Sequence, residues 1–170
     1  MTEGSAQGQA RTARGMDIDA VIARESIRDL VARYNSNSDS GRFDPLFELF
    51  APDAAMETAD FGAEFTRFQG LEEIKKVFTG ARDRIESRPD AAPGYIRHFT
   101  ATHQIDLIDA DHARGRLYFA VLMAHGLDHW GRYVDEYVRF DDRWVFAHRK
   151  VHVDGRASES WFSDAAPERL

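Results

Sequence analysis

Length, composition and charge predict one soluble domain and exclude several classes of protein. With 170 residues, 43% of them hydrophobic, the chain can bury a sizeable core. Its formal net charge of −7 argues against nucleic acid as the main partner, because phosphate binding needs clustered Lys and Arg. The sequence contains no cysteine, which excludes disulfides, iron–sulfur clusters and thiol nucleophiles and is consistent with a cytoplasmic protein.

The N-terminal residues predict no targeting or membrane segment. Residues 1–15 are small and polar, which favours a disordered tail over a secretory signal. No stretch of the sequence is apolar for long enough to span a bilayer, so we expect no membrane partner.

The first element in chain order is an amphipathic helix from Met16 to about Ser38. Its apolar stripe, at spacings i, i+3, i+4 and i+7, consists of Ile27, Leu30, Val31 and Tyr34. Gly41 stands where glycine commonly ends a helix. Asp44 and Pro45 then fit an N-cap and a first helical residue, which predicts a short helix through Phe50.

The middle of the chain predicts two short strands and a third helix. The first strand is expected at 54–58, and residues 61–68 alternate more loosely, which fits a second short strand or an irregular hairpin. The helix follows Gly70 and ends before Pro89. After a loop at 88–94 that contains Pro and Gly, the hydrophobic period changes from that of a helix to that of a strand.

Four strands are expected after this loop, joined as an antiparallel meander. They cover about 96–108, 113–125, 130–140 and 144–153, with turns at 126–128 and 141–142. Helices followed by such a meander favour an α+β fold, in which a cone-shaped, curved, mainly antiparallel (mixed) sheet wraps around three N-terminal helices. We expect one domain over residues 16–154 and a C-terminal tail over 155–170.

Asp39, near the end of the first helix, and His98, at the start of the first long strand, are the best candidates for chemistry. A carboxylate that fixes one imidazole tautomer makes a general base that works near neutral pH. The alternative is a surface aspartate and a histidine satisfied by an ordinary hydrogen bond. Tyr34 could donate a hydrogen bond to a substrate oxygen, or could simply be a core aromatic.

The spacing of Tyr34 and Asp39 sets a geometric condition. Five residues correspond to about 140° around a regular helix, so both side chains face one cavity only if the helix is distorted between them. Asn35 is a competing partner for Asp39. Tyr133, Asp135 and Tyr137 alternate onto one strand face, directed either into the cone or toward a dimer partner.

Seven histidines raise the question of a metal site. Three pairs are close in sequence: His98 with His103, His125 with His129, and His148 with His152. The first pair faces opposite ways unless a bulge intervenes, and the second flanks the predicted turn. The third lies about 13 Å apart along a strand, too far for one ion with ligands at about 2 Å. The pattern therefore predicts no metal site.

The order of several motifs resembles the SnoaL-like domain family of the nuclear transport factor 2-like superfamily, which includes scytalone dehydratase, polyketide cyclases and lindane dehydrochlorinase. The matching segments are 27–34 (IRDLVARY), Asp39 before Gly41, 46–54 (LFELFAPDA), the helix after Gly70, 97–100 (RHFT), 131–137 (GRYVDEY) and 141–149 (DDRWVFAHR). They span roughly residues 17–153. The resemblance implies the α+β cone fold and, at Asp39 and His98, the Asp–His dyad of the dehydratase-like members.

This resemblance leads to a functional hypothesis. We expect a lyase or isomerase without a cofactor, with dehydration the favoured reaction, acting on a hydrophobic cyclic carbonyl compound such as a steroid or polyketide. His98, Asp39 and Tyr34 would be catalytic, and the substrate-binding residues would be Tyr133, Met56, Phe68, Phe78 and Phe119. These apolar residues could equally be core.

Two alternatives stay open. One is a ligand-binding or assembly module without catalysis, including the small subunit of a ring-hydroxylating oxygenase, which has this fold. The other is an epoxide hydrolase, for which Asp135 and Arg149 are candidates, although an Asp and Arg on late strands more often form a structural ion pair. In each case we expect a homodimer or homotrimer formed through the sheet.

Overall fold

The computed structural model describes residues 17–59, 63–87 and 94–161. Within these residues the chain forms three helices and six strands. The helices are α1 (Ile18–Asp39), α2 (Phe43–Phe47) and α3 (Leu71–Glu86). The strands are β1 (Phe50–Ala59), β2 (Thr66–Gln69), β3 (Arg97–Leu107), β4 (His112–Met123), β5 (Gly126–Phe140) and β6 (Arg143–Arg156). The predicted N-terminal tail, the loop residues 88–93 and residues 162–170 lie outside the described residues.

The six strands form one sheet in the order β2-β1-β6-β5-β4-β3. β1 and β6 pair in parallel, and each other neighbouring pair is antiparallel. Register shifts interrupt the ladders between β3, β4, β5 and β6. Such bulges bend and twist strands, which gives the sheet its curvature. The predicted α+β class with a curved, mixed sheet is confirmed.

The helices pack against the sheet, and the core lies between the two layers. The predicted apolar stripe of α1 is buried, with Ile27, Leu30, Val31 and Tyr34 each at most 5% exposed. Burying a side chain of this size contributes about 1.5–3 kcal/mol. Asp17 caps the start of α1 by accepting from the backbone N–H of Ala20 at 2.7 Å. No helix in the described part of the chain is long and apolar enough to cross a bilayer.

β5 and β6 approach each other so closely at Gly131 that a side chain would not fit. A Cβ atom at this position would lie 1.9 Å from the carbonyl oxygen of His152. The register shifts at the same place, between Trp130 and Gly131. Glycine therefore permits this close approach of the two strands beside the bulge in β6.

The predicted boundaries of the second helix are wrong at both ends. α2 begins at Phe43 instead of after Asp44. Pro45 is tolerated there because N–H groups in a first helical turn have no helical acceptor. Phe50, expected in this helix, is the first residue of β1 and pairs with Phe146.

The turn predicted at 126–128 is also wrong. β4 and β5 are joined at Ala124 and His125, and β5 starts at Gly126 with φ of 114°. Gly and Asp favour turns, which explains the error. Asp128 nevertheless lies within β5, where its side chain is fully buried and receives hydrogen bonds from other parts of the fold.

Candidate active site

Asp39 and His98 are in direct contact where the end of α1 meets the start of β3. The Nδ1 atom of His98 lies 2.5 Å from Oδ1 of Asp39. The backbone N–H of His98 donates to the other carboxylate oxygen, Oδ2, at 2.8 Å. The side chains of His98 and Asp39 are 16% and 7% exposed. Because an ionised carboxylate can only accept, Nδ1 carries the proton and the lone pair of the ring is on Nε2.

The last turn of α1 is held by the residues that follow it. Ser40 ends the helix, and Gly41 adopts φ of 66°, the left-handed conformation common at this position. Arg42 then reaches back, and its guanidinium donates to Asn37 Oδ1 at 3.1 Å and to Ser36 Oγ at 3.0 Å. These bonds hold the turn that carries the Asp39 carboxylate.

The helix distortion that would turn Tyr34 and Asp39 toward one cavity does not occur, since α1 is helical through Asp39. The two side chains therefore contact different elements. Tyr34 lies over the guanidinium of Arg149 on β6, at 4.1 Å, whereas Asp39 contacts β3. Asn35, the expected competitor, is buried, but both oxygens of Asp39 accept from His98.

Arg149 occupies the centre of the core. Its guanidinium donates to both oxygens of Asp135, at 2.9 and 2.7 Å, and both side chains are 0% exposed. Its guanidinium carbon lies 4.1–4.2 Å from the ring centroids of Tyr34, Tyr133 and Phe146. Such contacts between a cation and aromatic faces stabilise a desolvated guanidinium.

The electrostatics of this cluster keep the arginine charged and the tyrosines neutral. Burial alone would lower the pKa of Arg149, but Asp135 raises it above its ordinary value. Burial raises the pKa of Tyr34, against the lowering effect of Arg149, and raises that of Tyr133 well above its usual range. Both phenols therefore remain hydrogen-bond donors at neutral pH.

Asp135 accepts three hydrogen bonds from buried side chains. Besides Arg149, it accepts from the hydroxyl of Tyr137 at 2.8 Å. Tyr133, Asp135 and Tyr137 thus face the core, which decides between the two orientations left open by the sequence. The arrangement matches the structural ion pair that the sequence offered as the alternative. An epoxide hydrolase would need Asp135 to activate a water molecule, and these hydrogen bonds leave it poorly placed to do so.

The predicted substrate-binding residues lie at three places in the fold. Phe119 and Tyr133 lie near the dyad: their rings stack at 4.6 Å, and Phe119 is 6.2 Å from the ring of His98. Met56 and Phe68 pair with each other across β1 and β2, at the far end of the sheet. Phe78 packs against Tyr34 and the aromatic residues of α2.

The opening that reaches the dyad is polar, which differs from the expected apolar pocket. A crevice of about 380 Å³ is lined by Ala32, Asn35, Ser36, Asp39, Ser40, Arg97, His98 and Thr100. The centre of the cone is filled by the rings packed around Arg149. His98 therefore lines the polar crevice and also contacts the apolar ring of Phe119.

His103 lies on the same face of β3 as His98 because a bulge intervenes. The register shifts between Ala101 and Gln104, and Thr102 adopts φ of 58°. His103 Nε2 consequently reaches the hydroxyl of Tyr137, at 3.2 Å. Burial lowers the pKa of His103 to about 4. In the described part of the chain, no three potential metal-ligating side chains come together.

Sequence reasoning missed His129, which lies beside the dyad. Its ring centroid is 6.4 Å from that of His98. The misplaced turn put this residue outside the strand. The alternation of side chains along a strand could have located it. Tyr133, Asp135 and Tyr137 face the inner side of β5, and His129 is an even number of residues away from each of them.

The model of the SnoaL-like domain family matches residues 19–150, most of the chain. The chain belongs to the SnoaL-like domain family. The match confirms the resemblance, and a solved nuclear transport factor 2-like protein from Novosphingobium aromaticivorans shares the fold of this SnoaL-like protein. No curated protein is detectably similar to it.

Several solved structures share the fold of this SnoaL-like protein. A proposed scytalone dehydratase from Novosphingobium aromaticivorans is 18% identical with a TM-score of 0.67, over 84% of this chain and 91% of its own. The hexachlorocyclohexane dehydrochlorinase LinA-type3 from Novosphingobium barchaimii is 18% identical, TM-score 0.65, over 84% and 93%. The β subunit of a proposed aromatic-ring-hydroxylating dioxygenase from N. aromaticivorans is 18% identical, TM-score 0.63, over 84% and 95%. At these identities the likeness shows the fold and leaves the reaction open.

Proposed function

We propose that this SnoaL-like protein is a lyase that needs no cofactor, a dehydratase acting on a hydrophobic cyclic carbonyl compound of the steroid or polyketide type. The proposal rests on one observation, the 2.5 Å contact between His98 Nδ1 and the largely buried carboxylate of Asp39. This contact is the arrangement that a neutral imidazole needs to act as a general base.

The reaction starts with removal of a proton from the carbon next to the carbonyl. His98 Nε2 accepts this proton, and Asp39 stabilises the imidazolium that forms. The electrons of the C–H bond then form the C=C bond as the hydroxyl leaves. Isomerisation or ring closure would use the same first step, so the dyad fits all three reactions.

Tyr34 and Tyr133 are proposed to stabilise the oxygen that gains negative charge. Their rings lie 6.2 Å apart and both contact Arg149. Because burial raises the pKa of each phenol, both keep the proton that such a hydrogen bond requires. The guanidinium behind them adds a positive charge in a dry environment, where it acts strongly.

The solved relatives support this class of reaction. Two of them, the proposed scytalone dehydratase and LinA-type3, bear the names of enzymes that remove a small group from a ring compound. The ring of Phe119 beside His98 offers an apolar surface for such a substrate, and the polar crevice offers an approach from solvent.

The first test is a rate measurement on cyclic β-hydroxyketones of one and two rings, including 4-hydroxy-2-decalone, followed by the absorbance of the enone product. We expect His98→Ala and Asp39→Asn each to lower the rate about 100-fold or more, because positioned acid–base groups contribute about 10²–10⁴-fold. Asp39→Asn acts through the tautomer: the amide donates to Nδ1, which moves the proton to Nε2 and removes the base.

A second Asp–His pair provides the matched control. His112 Nδ1 lies 2.9 Å from Asp109 Oδ1, but these side chains are 61% and 57% exposed. His112→Ala and Asp109→Asn should leave the rate unchanged. Full activity in both dyad variants would rule out the mechanism, and a wild-type protein that converts none of these ketones would count against the dehydratase assignment.

The outer face of the sheet supports a second candidate function, an assembly module without catalysis. Phe99, Ala120 and Trp130 form one row across β3, β4 and β5. Phe99 and the neighbouring Tyr118 are each 59% exposed. An apolar sheet face of this kind is typical of a contact surface, and we propose a second copy of the chain as its partner.

Light scattering on the purified protein tests this second candidate. We expect a dimer or trimer that Tyr118→Glu converts to a monomer, with Arg114→Glu on the same strand as a control that keeps the assembly. A wild-type monomer would contradict the proposed contact. Purification with a large iron-containing subunit would favour the oxygenase-subunit alternative.

A further inference from the structure

His129 faces His98 across β4 on the inner side of the sheet. The strand register pairs His98 with Val121 and Val121 with His129, so the three side chains form one row across three strands. The planes of the two imidazoles are at 85°, with their centroids 6.4 Å apart. The ring of Phe119 lies next to both, 6.2 Å from His98 and 5.9 Å from His129.

His129 has its own carboxylate partner. Its Nδ1 lies 2.7 Å from Oδ1 of Asp128, whose side chain is 0% exposed. Asp128 is fixed from the other side by the C-terminal segment, where Ser160 Oγ donates at 2.9 Å and the backbone N–H of Trp161 at 2.7 Å. The His129 side chain is 12% exposed, close to the 16% of His98. Two Asp–His pairs therefore face each other over Val121.

We propose that His129 is a second catalytic residue, which protonates the leaving oxygen while His98 removes the proton from carbon. This inference rests on the proposed function and assigns the other half of the elimination. The Asp128 contact holds Nδ1, so the proton is transferred from Nε2. A substrate ring against Phe119 would have its C–H bond toward His98 and its C–O bond toward His129.

The step balances within the site. Before the reaction His98 is neutral and His129 carries a proton. His98 Nε2 takes the proton of the C–H bond, the electron pair of that bond forms the C=C bond, and the C–O bond breaks with its electrons on oxygen. The oxygen takes the proton of His129 and departs as water. His98 is then charged and His129 neutral, and exchange of one proton with solvent at each residue restores the start.

The surroundings of His129 lower the pKa of its imidazolium. Burial lowers the pKa of His129, Asp128 opposes this effect, and the positive charges of His98 and Arg156 lower it further. Arg156 is its register partner on β6, and His125 approaches the far side of Asp128 at 3.2 Å. A lowered pKa makes the imidazolium a stronger acid toward a poor leaving group such as hydroxide.

The test compares two leaving groups on one ring system. 4-Hydroxy-2-decalone needs a proton on its departing oxygen, whereas 4-acetoxy-2-decalone loses acetate without one. We expect His129→Gln to lower the rate on the hydroxy compound about 100-fold and to leave the rate on the acetoxy compound near that of the wild type. His98→Gln should lower both rates, because both substrates need the base.

The rates of the two variants distinguish a failure of the role of His129 from a failure of the proposed function. If His129→Gln keeps the wild-type rate on the hydroxy compound, or lowers both rates equally, His129 is not the acid. If His98→Gln is fully active on both, or the wild type converts neither, the proposed function fails and this role with it.

A titration of the imidazole resonances by NMR gives a readout besides activity. We expect the pKa of His129 to rise in His98→Gln, because the repulsion between two protonated imidazoles, which lowers it, is then absent. An unchanged pKa would show that the two rings do not influence each other, which would overturn the assignment.

Discussion

Asp135 and Asp39 each contact a basic side chain, but the surroundings of the two pairs differ in one respect that separates a structural role from a chemical one. Asp135 is bound by Arg149, which is always charged, and by Tyr137, and no atom of the pair's side chains is exposed. Asp39 is bound by His98, whose ring has a second nitrogen that can accept a proton. His98 also borders a crevice of about 380 Å³.

The comparison shows that burial of a carboxylate does not itself mark a reactive site. Both aspartates accept two hydrogen bonds from their main partner. Asp39 differs because its partner, His98, has a second ring nitrogen that can accept a proton. His98 also borders a crevice that opens to solvent. The Asp135 pair supplies a fixed charge behind Tyr34 and Tyr133, and the Asp39 pair carries out the proposed proton transfer.

The largest effect we expect is on stability at the Asp135 pair. Asp135→Asn keeps the shape of the side chain but leaves Arg149 without a counter-charge at the centre of the core. Breaking a buried ion pair in this way costs about 3–5 kcal/mol. Nη1 of Arg149 already has no hydrogen-bond partner among the described residues, so little remains to compensate. Urea unfolding followed by circular dichroism measures the change in the free energy of unfolding.

The exposed pair of Arg114 and Glu136 provides the control on neighbouring strands. Their side chains are 69% and 51% exposed and 3.4 Å apart. Glu136→Gln should change the free energy of unfolding by about 0–1 kcal/mol. Equal losses in Asp135→Asn and Glu136→Gln would contradict the structural role of the buried pair.

The same substitution at Asp39 should have a smaller effect on stability. Asp39→Asn loses charge-assisted bonds to a ring and a backbone N–H at the edge of the core, worth about 1–3 kcal/mol. The amide oxygen can still accept from the backbone N–H of His98. Urea unfolding of this variant beside Asp135→Asn measures the difference, and a loss as large as that of Asp135→Asn would mean that the dyad is a structural anchor.

Much of the fold could be predicted from the sequence because period and order are local signals. The stripe of α1 and the change from a helical to a strand period both follow from hydrophobic spacing. The parallel pairing of β1 with β6 could not be predicted in detail, since it joins residues about 90 positions apart through contacts that spacing does not encode.

The candidate site was predictable only where the chemistry of single residues was unusual. Asp39 and His98 stood out as an acid and a base at element ends, and the structure brings them together. His103 and His129 were misjudged because a bulge at Thr102 and a two-residue turn at His125 change which face a strand residue occupies. A one-residue shift in a strand reverses the side on which every later side chain lies.

The smallest effect we expect is a pH dependence of stability at the edge of the Asp135 cluster. His103 contacts Tyr137, which donates to Asp135, and burial lowers the pKa of His103 from 6.5 to about 4. In this pH window the unfolded chain binds a proton that the folded protein does not. Stability from His103 is therefore fully present above pH 6.5 and decreases as the pH falls toward 4. The loss is about 1–2 kcal/mol, less than the full shift implies because the ring is partly exposed to solvent.

His103→Gln removes this titration while keeping a polar side chain that can bond Tyr137. The free energy of unfolding, measured between pH 4 and pH 7, should then decrease less on acidification than in the wild type. His112→Gln, at an exposed histidine, should keep the wild-type dependence. If both variants follow the wild-type curve, His103 is solvated in the folded protein. The Asp135 cluster would then not be isolated from titrating groups, and this difference from the Asp39 dyad would not hold.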